Sequence, residues 1–196
     1  MRGRALQLGV LGGLCFLALP ADGAGPVGVE VTGLAGTGSN PIGGAINPLL
    51  FGLGVRAGAV YKSAYAGLSY VDYFGGYLTG GSDLGAGEHA WTLGAEAGYT
   101  FGPEIVKVRP FLGVGDFVLT LGNPGAAGSI VDPASTSGAT SGHVYVEPGG
   151  CVLVLVSMFV VGLDAGVLVL PNVRFGGTQE STYASAVAHL QFGLRF

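Results

Sequence analysis

The last eleven residues of the chain alternate without a break. Ala186, Ala188, Leu190, Phe192, Leu194 and Phe196 fall on one parity, and Val187, His189, Gln191, Gly193 and Arg195 on the other. A period of two belongs to a strand with one apolar face and one mostly polar face. The same pattern recurs upstream. Phe51, Leu53, Val55, Ala57, Ala59 and Tyr61 oppose Gly52, Gly54, Arg56, Gly58 and Val60, and Trp91, Leu93, Ala95, Ala97, Tyr99 and Phe101 oppose Thr92, Gly94, Glu96, Gly98 and Thr100.

Composition says where such strands belong. Only 10% of the 196 residues are charged, and 39 are glycine. A soluble globular domain carries about 25% charged residues. No stretch of about 20 residues after the N-terminus is apolar throughout, so no mature spanning helix is predicted. Low charge without such a helix marks strands that alternate lipid-facing and inward-facing residues. The net charge of −4 comes with no basic stripe, which excludes a nucleic-acid partner. Cys151 is left alone once the leader is removed, so no internal disulfide is expected, and a lone Cys in an apolar run reads as a packing residue.

Residues Met1 to Gly23 read as a cleaved signal peptide. Arg2 and Arg4 supply its charged start, Ala5 to Leu19 its apolar run, and Ala21-Asp22-Gly23 its small-residue cleavage site. Residues 24–196 then form one domain, because the length leaves no room for a second. Eight strand-like segments follow: Pro26–Ala35, Leu49–Tyr61, Ala64–Phe74, Ala90–Phe101, Ile105–Thr120, His143–Val156, Met158–Leu170 and Tyr183–Phe196. Short turns at Lys62-Ser63, Gly102-Pro103-Glu104 and Ser157 alternate with long connections, Gly36–Pro48, Gly75–His89, Leu121–Gly142 and Pro171–Thr182. The fold expected is all-β: an eight-stranded antiparallel up-and-down transmembrane β-barrel, with short turns at one end and long loops at the other.

An outward Lys or Arg at mid-bilayer depth would be unfavourable by about 2–4 kcal/mol. The charges obey that rule. Glu30, Arg56, Glu96, Lys107, Arg109, Glu147, Asp164 and Arg195 all fall on the inner parity, four acids against four bases, and are expected to pair as a lumen network. Asp72 and Asp116 fall on the outer parity, towards the long-loop ends. Aromatic belts are expected from Tyr61, Tyr99, Phe101, Phe159 and Phe196 at the short-turn side and from Phe51, Phe74 and Trp91 at the other.

With its leader, its alternating strands, the Val108-Arg109-Pro110-Phe111-Leu112-Gly113-Val114-Gly115 segment and the Ala188–Phe196 ending, the chain resembles the small bacterial outer-membrane β-barrel superfamily. That superfamily includes the OmpA transmembrane domain, OmpX and OmpW. The resemblance implies an address in the bacterial outer membrane, with its lipid and lipopolysaccharide and the barrel-assembly machinery as partners. It also implies that Phe192, Leu194 and Phe196 carry an assembly signal. No functional residue of any one subfamily carries over.

Chemical motifs are sparse. Gly52-Leu53-Gly54-Val55-Arg56-Ala57 matches a dinucleotide fingerprint in spelling, but it lies inside a strand and opens no helix. His89, His143 and His189 are isolated, so neither a metal site nor a cofactor is expected. Ser141 and His143 with Asp132 or Glu147 could be imagined as the machinery of a lipid A-modifying enzyme, although the Ser-rich loop makes such a coincidence common. The leading expectation is non-enzymatic: a structural or surface-interaction barrel with a charge-filled lumen and loops open to a surface ligand. The alternative is an OmpW-like channel for small hydrophobic solutes, with an apolar inner pocket near the outer rim built from Leu34, Val71 and Phe111.

Overall fold

A computed structural model describes residues 27–39, 46–75, 77–78, 89–120, 140–174 and 180–196. The segment read as a leader, residues 1–23, lies outside them. The described chain contains ten strands: β1 (Val27–Ser39), β2 (Ile46–Asn47), β3 (Phe51–Tyr61), β4 (Ala64–Phe74), β5 (Tyr77–Leu78), β6 (His89–Tyr99), β7 (Val106–Thr120), β8 (Thr140–Val156), β9 (Phe159–Arg174) and β10 (Glu180–Arg195). Eight of them close an antiparallel barrel in the order β1-β10-β9-β8-β7-β6-β4-β3. β2 and β5 pair only with each other, through Ile46↔Leu78 and Asn47↔Tyr77, and tie the first two long connections together. The eight-stranded barrel expected from the sequence is the fold observed.

Side chains alternate across the wall as the pleat requires. On β3 the outward Phe51, Leu53, Val55 and Tyr61 are exposed while Arg56 and Val60 are buried. The outer face is a continuous apolar surface, with Leu68, Leu93, Leu112, Val144, Leu163, Leu190 and Phe192 all exposed. So large an exposed apolar surface would be unstable in water and is suited to hydrocarbon.

The strand bounds differ from the sequence reading mainly at the long-loop end. β1 continues through Gly36–Ser39, β8 begins at Thr140, β9 runs on to Arg174 and β10 begins at Glu180. These extensions are polar or glycine-rich, which hid them from a hydrophobic pattern. A ladder that projects beyond the bilayer keeps its hydrogen bonds without needing an apolar face.

Two of the short turns are two-residue hairpins, closed by Tyr61↔Ala64 and Val156↔Phe159. Their first residues, Lys62 and Ser157, both have φ of 57°. That left-handed conformation matches the twist of the flanking strands but is strained for a residue with a side chain. The third turn, between β6 and β7, holds Gly102 at φ 121°, where a side chain would meet the Val106 carbonyl.

Candidate functional site

The barrel is too narrow to be an open tube, and its interior is filled in two different ways. In the half nearer the short turns the filling is mainly ionic, with a small apolar cluster of Cys151, Leu153, Leu155 and Val160 between it and the β8–β9 turn. The Arg56 guanidinium on β3 reaches Glu96 of β6 at 2.9 Å and Asp164 of β9 at 2.7 Å. Asp164 also meets His189 Nδ1 at 2.8 Å and accepts from Gln191 Nε2 at 3.1 Å. A second set joins Arg109 to Glu30 at 2.7 Å, with Arg195 on the other Glu30 oxygen at 3.6 Å, while Arg109 Nε donates to Thr100 at 2.8 Å. Both arginines are also stacked, Arg109 over the Tyr65 ring at 4.0 Å and Arg56 over Phe111 at 5.2 Å. Room for the Tyr65 ring comes from Gly58 and Gly67. A Cβ at either position would lie within 2.4 Å of that side chain.

In the half nearer the long loops the filling is apolar. Leu34, Val71, Tyr73, Ala90, Phe117, Leu119, Tyr145, Leu168, Leu170, Tyr183 and Val187 form one buried cluster. Leu49 joins it from the connection between β1 and β3, and is fully buried. Its segment is held down by Asn47, whose Nδ2 donates to Gly38 O at 3.0 Å and whose Oδ1 accepts from Leu49 N at 3.0 Å. Gly38 N donates to Leu49 O, and the Thr37 hydroxyl to Leu50 O. Leu49 is therefore a stopper over the lumen, where the sequence reading made it the first residue of a wall strand. The halves meet at Tyr73, whose hydroxyl lies 2.9 Å from His189 Nε2.

The structure brings Glu30, Arg56, Glu96, Arg109, Asp164 and Arg195 into these ion pairs. It leaves two of the eight inner charges out. Lys107 stays near the short-turn mouth and donates to Gly102 O at 3.2 Å. Glu147 makes no hydrogen bond or ion pair among the described residues. The inner apolar trio is also divided. Leu34 and Val71 belong to the loop-side cluster, whereas Phe111 lies under Arg56, too deep along β7 to line the rim. His143 stands on β8 opposite Phe117. Asp132 and the Ser141 side chain lie outside the described residues.

On the outer face, Tyr61, Tyr99, Phe101, Phe159 and Phe196 are exposed at the short-turn side, and Phe51 and Phe74 at the loop side, with Trp91 half-buried. Phe51 pairs across strands with Phe74. Phe192 stacks on Phe159 at 6.4 Å, and Leu194 is half-buried on the same face. Phe196 exchanges two backbone hydrogen bonds with Val29, of 2.9 and 3.0 Å, which fasten the chain's end to its first strand.

One wall feature has no counterpart in the sequence reading. Leu155 N of β8 donates to Ile105 O before β7, so odd residues of β8 bond towards β7 and even residues towards β9. Pro148 is even, and across the seam Pro171 occupies a β9 position that faces β8. Each removes a donor from the same seam. The β8–β9 ladder is continuous from Val156↔Phe159 to Gly149↔Gly166, skips two positions, and ends at Val146↔Val169. Between Leu170 and Val173 the β9–β10 register shifts by one residue, so beyond Pro171 the partner of Val173 is Ser181 of β10 and Gly142 has no partner on β9. Above that point β8 pairs with β7 alone and β9 with β10 alone. Pro110 breaks the β6–β7 seam in the same way, but there the ladder closes again at Phe101↔Val108.

No family model matches the chain, and no curated protein matches it. Solved structures do. The N-terminal β-barrel domain of Pseudomonas aeruginosa OprF is similar with a TM-score of 0.50 at 16% identity, over 86% of this chain and 97% of that one. Neisserial surface protein A is similar with a TM-score of 0.47 at 19% identity, over 89% and 98%. A major outer membrane protein from Thermus thermophilus has a TM-score of 0.48 at 16% identity, over 87% and 99%. At these identities the likeness is one of fold. The chain has the fold of the small bacterial outer-membrane β-barrels.

Proposed function

We propose that the chain is a closed, non-enzymatic barrel of the bacterial outer membrane, with a structural or surface-interaction role exercised through its long loops. The observation that carries this reading is the double filling of the lumen. A solute passing down the axis would have to separate the Arg56–Glu96–Asp164 and Arg109–Glu30 sets, and before that displace Leu49 and the cluster beneath it. Breaking buried ion pairs without replacement is strongly unfavourable. A rigid, plugged wall is a platform, and what it presents to the exterior is its loop end. Outer-membrane lipid and lipopolysaccharide would surround its apolar face, with the aromatic residues near the strand ends at the two interfaces.

Phe192, Leu194 and Phe196 would be read by the barrel-assembly machinery as the chain's terminal signal. Removing Phe196 should lower the amount of folded protein in the outer membrane, measured by heat-modifiable mobility of membrane fractions. Normal levels would show that the terminal aromatic is dispensable.

Single-channel recording of the refolded chain in a planar bilayer tests the central reading. Silence from inserted, folded protein supports the closed platform. Discrete and reproducible conductance steps would overturn it and put transport in its place.

A further inference from the structure

We propose that the β8–β9 seam at the loop end is a lateral binding site for a single-chain cationic amphiphile held in the membrane. Three observations converge on that place. The first is the missing ladder. Beyond Gly149↔Gly166 a single backbone pair, Val146↔Val169, ties β8 to β9, and Pro148 and Pro171 each take one hydrogen-bond donor from the ladder beside it. The β6–β7 seam at Pro110 likewise skips two pairs and closes again at Phe101↔Val108; what sets the β8–β9 seam apart is a second proline, Pro171, with the register shift of β9 beside it, beyond which no pair follows.

The second observation is what lies on either side. Outside, the rim is lipid-facing, with Val144, Pro148 and Val167 exposed and Pro171 exposed just above them. Inside, directly behind the weak tie, are Tyr145, Leu168 and Leu170 of the apolar cluster. Parting one pair joins the hydrocarbon to that cluster, and an alkyl chain is the group that both sides accept.

The third is a charge at the foot of the weakened stretch. Glu147 projects inward beside Pro148, and its carboxylate lies across the seam against Gly166, with Oε1 3.0 Å from where a Cβ of that glycine would be. The charged groups facing Glu147 are Glu96 of β6, Arg56 of β3, Asp164 of β9 and His189 of β10. Arg56 and His189 are already engaged with Glu96 and Asp164. The Glu147 carboxylate is thus without a cation of its own, and a half-buried carboxylate in that position favours a cationic head group. The tail would lie against Leu168 and Leu170 with the ammonium at Glu147.

Dodecylamine is a suitable probe, titrated into the chain refolded in phospholipid nanodiscs with labelled Leu and Val methyls. Saturable shifts at Leu168 and Leu170 are expected. Glu147→Gln should weaken the apparent affinity at least tenfold, and Pro148→Val/Pro171→Val, which restores both donors, should abolish the response. No saturable shift would overturn the site. Equal binding of dodecanoate, which has the same tail and the opposite charge, would overturn the role of Glu147. Should the double variant fail to fold, amide exchange in the unmodified chain decides the seam. Val146 and Val169 should exchange at least tenfold faster than Val154 and Val161 further down the same ladder. Equal protection would show that the seam is closed.

Discussion

The two halves of the lumen are closed by opposite means. Near the short turns, three arginines and three carboxylates hold each other in pairs. Near the long loops, a dozen buried residues do so by packing, with the stopper Leu49 among them. Both exclude an open path, but they fail differently. A paired interior depends on complementarity, so removing one partner is worse than removing the whole set. A packed interior depends on volume, so damage scales with the atoms deleted.

Arg56→Ala should show this most strongly. It strands Glu96 and Asp164, and a loss of about 3–5 kcal/mol is expected in urea unfolding in detergent, followed by the fluorescence of Trp91, the single tryptophan. Adding Glu96→Gln and Asp164→Asn should restore much of that loss. No recovery in the triple variant would mean that packing, and not charge balance, governs the short-turn half. Arg109→Ala should follow the same course on a smaller scale, because Arg195 remains beside Glu30.

Leu168→Ala in the other half should destabilise by about 3 kcal/mol in the same assay, and no charge substitution should rescue it. Tyr73→Phe tests the junction. It deletes the hydroxyl facing His189 and should lower stability by about 1 kcal/mol. Lys62→Gly lies outside both halves and should act in the other direction. Relief of the left-handed strain should raise stability by about 1 kcal/mol, and a loss would show that the Lys62 ammonium over the Tyr61 ring matters more.

The wall was more legible in the sequence than the interior. Alternation put Arg56, Glu96 and Asp164 on the inner parity because parity is a local property of a strand. Their partners are not local. Arg56 meets Asp164 only because closure brings β3 and β9, three strands apart around the barrel, to face one lumen, and that register is written nowhere in either segment. Lys107 shares the parity of Arg109 but sits two residues nearer the turn, which suffices to send it to Gly102 O. Leu49 shows the converse limit. An apolar residue beside a strand reads as part of the wall, yet the Asn47 side chain turns the backbone so that Leu49 drops inside. Pro148 and Pro171 were in plain view as well. Their meaning required knowing which way each missing N–H would have pointed.

The pairing of β1 with β10 has a consequence for how such a chain reaches its folded state. Glu30 and Arg195 stand opposite each other at nearly the two ends of the described chain. No other ladder in the barrel joins segments so remote, and contacts of that separation form slowly because a long loop must close first. Until β10 has been synthesised and delivered, the sheet has two bare edges, and each can recruit a wrong strand or another copy. The same seam also cannot form piecemeal, since β1 has no use for β10 before the six barrel strands between them have curled. Folding of this molecule is therefore expected to be slow, cooperative at its last step, and dependent on an escort that covers those edges in transit.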